Sequence, residues 1–170
     1  MNAHDLRALQ APLKERYQQD PQTAQATLSV RAEIDLPTLS CRIDHTGPSR
    51  ERAGMHPMAG GDGQTACATE MLLEALAGCA GVTFAAVATA MDLPIEFAGM
   101  TVSGTMDFRG TLAISRTVPV GFQTIQIVFE LQSSTADEKL AKAVELAERY
   151  CVVAQSLKTV STTWKRRTQA

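Results

Sequence analysis

The longest apolar stretch of the chain runs from Met71 to Leu93 and carries a cysteine, Cys79, near its middle. Its length approaches the ~20 apolar residues that cross a bilayer. However, the stretch consists largely of Ala, Gly and Thr, which contribute little to membrane insertion, and an acidic residue such as Glu74 costs ~2.5–3.5 kcal/mol at mid-membrane. We therefore expect a helix buried in a protein core, and no membrane partner.

The composition argues against nucleic-acid binding and against secretion. A chain of 170 residues suits a single domain with a hydrophobic core. Lys and Arg number 16 against 18 Asp and Glu, and basic residues cluster only at 165–167, so no nucleic-acid partner is expected. The N-terminus lacks a basic region followed by an apolar core, so the cytoplasm is the expected location.

Sulfur is the main candidate for chemistry in this sequence. No phosphate-binding loop or Ser-His-Asp constellation competes for that role, and the three histidines lie in unrelated segments, so we expect no metal site. In a reducing compartment the cysteines do not indicate a disulfide framework. The chain has four of them, without a CxxC spacing: Cys41, Cys67, Cys79 and Cys151.

Hydrophobic periodicity predicts an alternation of helices and strands. Apolar side chains at helical spacing predict helices, and period-two alternation predicts strands. Repeated Pro and Gly from 47 to 63 predict a loop, and loops longer than ~12–15 residues are usually functional or disordered. In chain order we predict a helix over 3–17, a hairpin of strands 27–35 and 38–45, the loop over 47–63, a central helix from about 69 to before Pro94, and strands over 100–109 and 125–132.

The C-terminal part predicts one more helix and one more strand. The sequence from Thr135 to Glu138 matches a capping box, in which the threonine oxygen and the glutamate satisfy free N–H groups at a helix start. Leu140, Val144 and Cys151 share one helical stripe, so Cys151 should face the core. A last strand is predicted over 159–164. The order of elements fits an α+β domain with helices on one face of an antiparallel sheet of ~5–6 strands.

Two segments of the chain resemble the OsmC/Ohr family. Residues 68–79, Ala-Thr-Glu-Met-Leu-Leu-Glu-Ala-Leu-Ala-Gly-Cys, resemble its central-helix signature, roughly Pro-x-Glu-Leu-Leu-x-Ala-Ala-Leu-x-Gly-Cys. Residues 147–153, Ala-Glu-Arg-Tyr-Cys-Val-Val, resemble its Ala-x-x-x-Cys-Pro-Val motif. Asp107–Gly110 and Val118–Phe122 are similar to its intervening strands. The resemblance covers the chain from about Thr27 onward, and the order and spacing of the short motifs carry its specificity.

The resemblance implies a fold, an assembly and an activity. The fold would be an antiparallel sheet with a long central helix and a second helix packed on it, in an intertwined homodimer. Residues 1–25 would be an N-terminal helical extension and residues 26–170 a single OsmC-like domain. The activity would be reduction of organic hydroperoxides, with Cys79 as the attacking thiolate and Cys151 resolving the sulfenic acid to a disulfide. Family members use dithiol reductants, so no bound cofactor is expected.

The family also implies a partner for the thiolate. Because an apolar helix raises a thiol pKa above ~8.5, we expect a cation to offset burial. Peroxidase members use an arginine held by a glutamate near the helix start, and here Arg50, Arg52 and Glu70 are the candidates. The sequence does not decide which of the two arginines serves the thiolate, and each also has an ordinary interpretation as a solvated loop residue. The peroxidases carry that glutamate ten positions before the cysteine, where this chain has Thr69.

Other interpretations stay open at this point. Glu70 matches the broader OsmC-like branch, and an acidic residue also simply favours a helix N-terminus. Free cysteine is often buried as a small hydrophobe, which suits Cys41 in its strand and Cys67 in the loop. The chain could therefore be a non-catalytic protein that binds an apolar small molecule in a pocket around Cys79, or a structural protein whose cysteines only pack. Val152 stands where the family motif has proline.

Overall fold

The computed structural model describes residues 3–44 and 49–167 of the chain. Five helices lie within these ranges, and two short 3-10 segments, Pro21–Ala24 and Pro57–Ala59, join other elements. The helices are α1 (Ala3–Gln19), α2 (Ala68–Ala90), α3 (Phe108–Thr111), α4 (Asp137–Tyr150) and α5 (Val152–Ser156). The predicted N-terminal helix, central helix and C-terminal helix are thus present, each within a few residues of its expected bounds.

Seven strands within the described residues form two sheets. They are β1 (Gln25–Asp35), β2 (Ser40–Ile43), β3 (Ser49–Gly54), β4 (Thr65–Cys67), β5 (Ile95–Asp107), β6 (Phe122–Ser133) and β7 (Val160–Arg166). Five of them form a sheet in the order β2-β1-β5-β6-β7, and β3 pairs with β4. The β1–β2 hairpin is antiparallel, with Ile34 opposite Cys41, whereas β7 runs parallel to β6. The α+β class with an antiparallel sheet and a long central helix is confirmed, although β7 joins that sheet in the parallel direction.

The described residues fall into two compact units. The first unit comprises the described residues within 1–28, 46–71 and 104–124. The second unit comprises the described residues within 29–45, 72–103 and 125–170. In the first unit, α1 contributes Tyr17, which is fully buried and donates its hydroxyl hydrogen bond to the Met58 carbonyl oxygen at 2.9 Å. The buried cluster of this unit consists of Tyr17, Ala24, Ala59, Met106, Phe108 and Leu112.

The second unit is built around the central helix α2. The rings of Phe84 on α2 and Phe129 on β6 lie 5.1 Å apart between centroids. Small residues let β2 approach the helix, since a Cβ added at Gly81 would lie 2.5 Å from the Cys41 sulfur. By length and composition α2 could cross a membrane, but half of its apolar window is buried within the protein. Core helices meet the same criteria, which agrees with the expectation of a buried helix.

The predicted loop over 47–63 is wrong in part. The structure places β3 and a 3-10 segment inside it, and residues 47 and 48 lie outside the described ranges. Ser49 to Ala53 contains no Pro or Gly, so nothing prevents an extended strand there. β3 then runs beside β4, and a Cβ on Gly54 would collide with the Thr65 side chain. The glycine is therefore needed for close strand approach rather than for loop freedom.

The predicted capping box at Thr135 is also wrong. The N-cap of α4 is Ala136, and no side chain caps it. Thr135 stays one residue outside the helix because its carbonyl oxygen accepts a hydrogen bond from Arg166 Nη2 at 2.6 Å and its N–H donates to Ser133 Oγ at 3.0 Å.

Two further residue placements differ slightly from those predicted. Cys67 ends β4 instead of lying in a loop, and Phe108 and Arg109 begin α3 instead of ending a strand.

Candidate functional site

Cys79 lies in the middle of α2 and is partly exposed. Burial on the helix raises the pKa of its thiol, as the sequence argument expected, but hydrogen bonds outweigh that effect. The backbone N–H groups of Val153 and Val152, the Cys151 thiol and the Thr83 hydroxyl all act on the Cys79 sulfur, so its pKa is lowered from 9.0. The described groups that lower it are uncharged donors, whereas the sequence argument had required a cation.

Cys151 lies between two helices and not inside one. It is the C-cap of α4 and the N-cap of α5, in an extended conformation with φ −74° and ψ 107°. The predicted helix is therefore one residue too long, because it included Cys151. Cys151 is nevertheless fully buried, as its place on the apolar stripe required. Its sulfur accepts a hydrogen bond from the Ala154 N–H at 3.4 Å. Burial raises the pKa of the Cys151 thiol to about 11.

The thiols of Cys79 and Cys151 lie close enough for each to shift the pKa of the other. Their proximity lowers the pKa of Cys79 and, together with burial, raises that of Cys151, because a thiolate at Cys79 is stabilised by a protonated neighbour. The pair is therefore chemically asymmetric. Cys79 is the sulfur that ionises first and can act as a nucleophile, and Cys151 is a protonated neighbour close to it.

Thr83 is a site residue that the sequence argument did not identify. It lies one helical turn after Cys79, and its hydroxyl donates to the Cys79 carbonyl oxygen at 2.7 Å. The same hydroxyl also acts on the Cys79 sulfur. The Thr83 hydroxyl has a single hydrogen, which cannot be donated fully to both the Cys79 carbonyl oxygen and the Cys79 sulfur. The hydrogen bond to the carbonyl oxygen is the one with a defined distance, and the sulfur is the alternative acceptor. A threonine four positions after a helical cysteine is the sequence signal for this arrangement.

Glu70 caps the start of the central helix. Its Oε2 accepts a hydrogen bond from the Cys67 N–H at 2.8 Å, which is the return half of a capping box with cysteine at the N-cap. Cys67 Sγ accepts in turn from the Thr69 hydroxyl at 3.1 Å. Near this helix start, burial lowers the pKa of His56 and the Glu70 charge partly opposes that effect. These contacts give Glu70 a structural role at the helix start.

Of the two candidate arginines, the described side chain of Arg52 is not paired with Glu70. Both arginines lie on β3, and the side chain of Arg50 is outside what the structure describes. Arg52 is exposed, and no hydrogen bond or ion pair joins the described side chains of Arg52 and Glu70. Within the described ranges no three His, Cys, Asp or Glu side chains are grouped so that they could hold a metal ion.

Comparison with known proteins gives a family and a fold. The sequence matches the family described as OsmC-like protein over residues 61–165. The structure resembles an OsmC-like hydroperoxide resistance protein from Jannaschia sp. CCS1, with 16% identity and a TM-score of 0.56, covering 82% of this chain and 90% of that one. No curated protein matches the sequence significantly.

Two other solved structures are similar at the same level. One is an OsmC-like protein of unknown function from Vibrio cholerae, at 13% identity and a TM-score of 0.52, covering 84% of this chain and 98% of that one. The other is a putative osmotic stress induced and detoxification response protein from Psychrobacter arcticus, at 16% identity and a TM-score of 0.52, covering 85% and 95%. At such low identity these likenesses describe the fold and leave the activity to be argued from the site.

Proposed function

Because the chain belongs to the family of OsmC-like proteins, we propose that it is a thiol-dependent peroxidase that reduces organic hydroperoxides. The observation that carries this proposal is the proximity of the Cys79 and Cys151 thiols, with the pKa of Cys79 lowered and that of Cys151 raised. A similar structure from Jannaschia bears the name of a hydroperoxide resistance protein, which supports the same class of substrate.

The proposed reaction has two covalent steps. The Cys79 thiolate attacks the terminal oxygen of the hydroperoxide, the O–O bond breaks, and the alkoxide leaves and takes up a proton as an alcohol. Cys79 is then a sulfenic acid. The Cys151 sulfur attacks the Cys79 sulfur, a disulfide forms, and the hydroxide leaves as water with the proton that Cys151 carried. A dithiol reductant returns both sulfurs to thiols, so no bound cofactor takes part.

The remaining roles are assigned by family resemblance. Arg50 or Arg52 would add positive charge near the thiolate or the peroxide, and Glu70 would orient the arginine in addition to capping α2. The active unit would be an intertwined homodimer in the cytoplasm, where a reducing environment keeps the thiols available. Sedimentation tests the assembly, since a species of only 18.3 kDa at micromolar concentration would contradict it.

The test of the proposed function is consumption of cumene hydroperoxide with a dithiol reductant in excess. We expect Cys79→Ser to abolish turnover and Cys151→Ser to stop it after the sulfenic acid forms. Cys67→Ser is the matched control, because serine is a good N-cap for α2, and it should retain the wild-type rate. Wild-type consumption by Cys79→Ser would overturn the proposal and favour a protein that binds an apolar small molecule near Cys79.

A further inference from the structure

A histidine side chain holds the start of the 3-10 segment Pro57–Ala59. His56 is the N-cap of this segment, with an extended backbone of φ −61° and ψ 144°. Pro57 has no N–H, and the first N–H groups of a helical segment have no partner within it. The Met58 N–H is therefore left to a side chain, and it donates to His56 Nδ1 at 3.1 Å. The ring nitrogen takes the place of the Ser, Asp or Asn oxygen that caps most helices.

The same 3-10 segment supplies the acceptors for the polar contacts of α1. The Tyr17 hydroxyl donates to the Met58 carbonyl oxygen at 2.9 Å, and Gln10 Nε2 donates to the Ala59 carbonyl oxygen at 3.0 Å. Tyr17 is fully buried, in one cluster with Ala59. The backbone that His56 caps is thus the backbone on which α1 packs, within one compact unit.

The protonation state of the His56 ring decides whether this cap can form. In the neutral ring Nδ1 accepts a hydrogen bond only when the proton is on Nε2, which the bond from the Met58 N–H requires. In the protonated ring both nitrogens carry hydrogen, so Nδ1 can no longer accept. The ring is also stacked on buried Phe108, with centroids 4.9 Å apart. Burial lowers the pKa of His56, so the folded chain favours the neutral ring that caps.

Charged groups lie around this histidine on three helices. Glu70, at the start of α2, acts on the ring and partly opposes the effect of burial. Asp107 and Arg109, at the start of α3, pair with each other, with Arg109 Nη2 2.6 Å from Asp107 Oδ2. On α1, Arg16 lies over the tyrosine ring that follows it, 5.1 Å from the centroid. Among these described groups, Glu70 is the one that favours the protonated form of His56.

We propose that His56 is a proton-sensitive latch for α1. The neutral ring holds the 3-10 segment so that Tyr17 and Gln10 reach its carbonyl oxygens, and the protonated ring releases the Met58 N–H and loosens α1. Because the pKa of His56 is lower in the folded chain than its ordinary value of 6.5, this stabilisation is fully present above pH 6.5 and is lost as the pH falls below it. The latch is independent of the proposed chemistry of Cys79.

The test compares His56→Asn with His4→Asn in the full chain. The asparagine oxygen at position 56 can accept from the Met58 N–H and cannot gain a proton, so the cap stays and its pH dependence is removed. His4 is the matched control, because it lies on α1 itself with a side chain that is 88% exposed. The readout is the hydrogen-exchange protection factor of the α1 amides at pH 7.5 and pH 5.5.

We expect the protection of α1 to fall by roughly 3–10-fold between pH 7.5 and pH 5.5 in the wild type and in His4→Asn, as loss of a helix cap predicts. In His56→Asn it should fall by less than about 2-fold, because asparagine keeps the cap at both pH values. The comparison concerns the change with pH, so a constant loss from the missing Phe108 stack does not affect it. Equal falls in His56→Asn and the wild type would overturn the inference.

A titration of the wild-type chain keeps the inference testable if His56→Asn does not fold. The NMR resonances of the His56 ring should titrate with a midpoint below pH 6.5, as its lowered pKa requires. The Met58 amide proton and the Tyr17 ring should shift with the same midpoint. A His56 ring that titrates while both of these resonances stay constant would show that its protonation does not release α1.

Discussion

Two glycines on the central helix differ in the space around them. A Cβ at Gly78 would lie 3.5 Å from Ile43 Cδ1, an ordinary contact, whereas a Cβ at Gly81 would lie 2.5 Å from the Cys41 sulfur. Gly78→Ala should therefore be neutral or stabilise the fold by up to ~1 kcal/mol through helix propensity. Gly81→Ala should destabilise it by ~1–3 kcal/mol through overpacking.

Urea unfolding of both variants measures the difference. Replacing Cys41 by alanine in the Gly81→Ala background should recover part of the loss, because the clash is with the sulfur. Equal stability of the two single variants would mean that β2 does not approach α2 as closely as described.

The Cys41 thiol should make the fold sensitive to alkaline pH. Burial against α2 raises the pKa of Cys41 from 9.0 to about 11, so the unfolded chain loses its proton at a lower pH than the folded one. Its contribution is fully present below pH 9 and is lost as the pH rises toward 11, by on the order of 2 kcal/mol. Unfolding free energies between pH 8 and 11 should fall more steeply for the wild type than for Cys41→Ala. Parallel curves would contradict this assignment.

Two roles of Glu70 at the start of α2 can be measured separately: capping of the helix and the proposed orientation of an arginine. Glu70→Ala removes the acceptor for the Cys67 N–H and should cost ~0.5–2 kcal/mol. Glu70→Gln keeps an oxygen at that place and should lose less than half of this. If Glu70 also orients an arginine in the proposed reaction, Glu70→Gln should slow peroxide reduction while remaining folded. Thermal unfolding measures the first effect, and a glutamine variant as unstable as the alanine variant would argue against the cap.

The strands were predictable from the sequence where one face of the strand is buried. Val102 and Met106 on β5, and Ile127 and Phe129 on β6, follow a strict period of two, and all four are buried. The predictions failed where a distant partner decides the backbone. Arg166 holds Thr135 outside α4, and the parallel pairing with β4 makes a strand of Ser49–Gly54. Sequence spacing contains no signal for either partner.

For the site, the sequence predicted only a set of candidate residues and not how they are arranged. The spacing of Cys79 and Cys151 in the sequence could not establish that their thiols lie close together, because their proximity depends on how α4 ends at Tyr150. Peptide N–H donors, as on Val152 and Val153, have no sequence signature of their own. The cation expected from the apolar character of α2 was a reasonable inference from burial, but hydrogen bonds lower the pKa of Cys79 without one among the described residues.

At the scale of the whole chain, the question is whether the N-terminal helix is part of the core. An extension over residues 1–25 remains a prediction, but Tyr17 is fully buried in the first unit, whereas Leu9 on the same helix is 46% exposed. Tyr17→Ala should cost ~3–5 kcal/mol, and Leu9→Ala should stay within about 0.5 kcal/mol of the wild type. Urea unfolding of the two variants makes the comparison. A small, equal effect of both would mean that α1 is a detachable extension.

The proposed peroxidase reaction is tested most directly by a disulfide map of the protein after one oxidation. Fully reduced protein is mixed with one equivalent of cumene hydroperoxide for a few seconds, quenched by alkylation, and analysed by intact mass and non-reducing peptide mapping. We expect rapid and selective formation of a Cys79–Cys151 disulfide, with Cys41 and Cys67 alkylated as free thiols. Persistence of both Cys79 and Cys151 as thiols would contradict it and leave an OsmC-like protein that does not use this pair as a peroxidase.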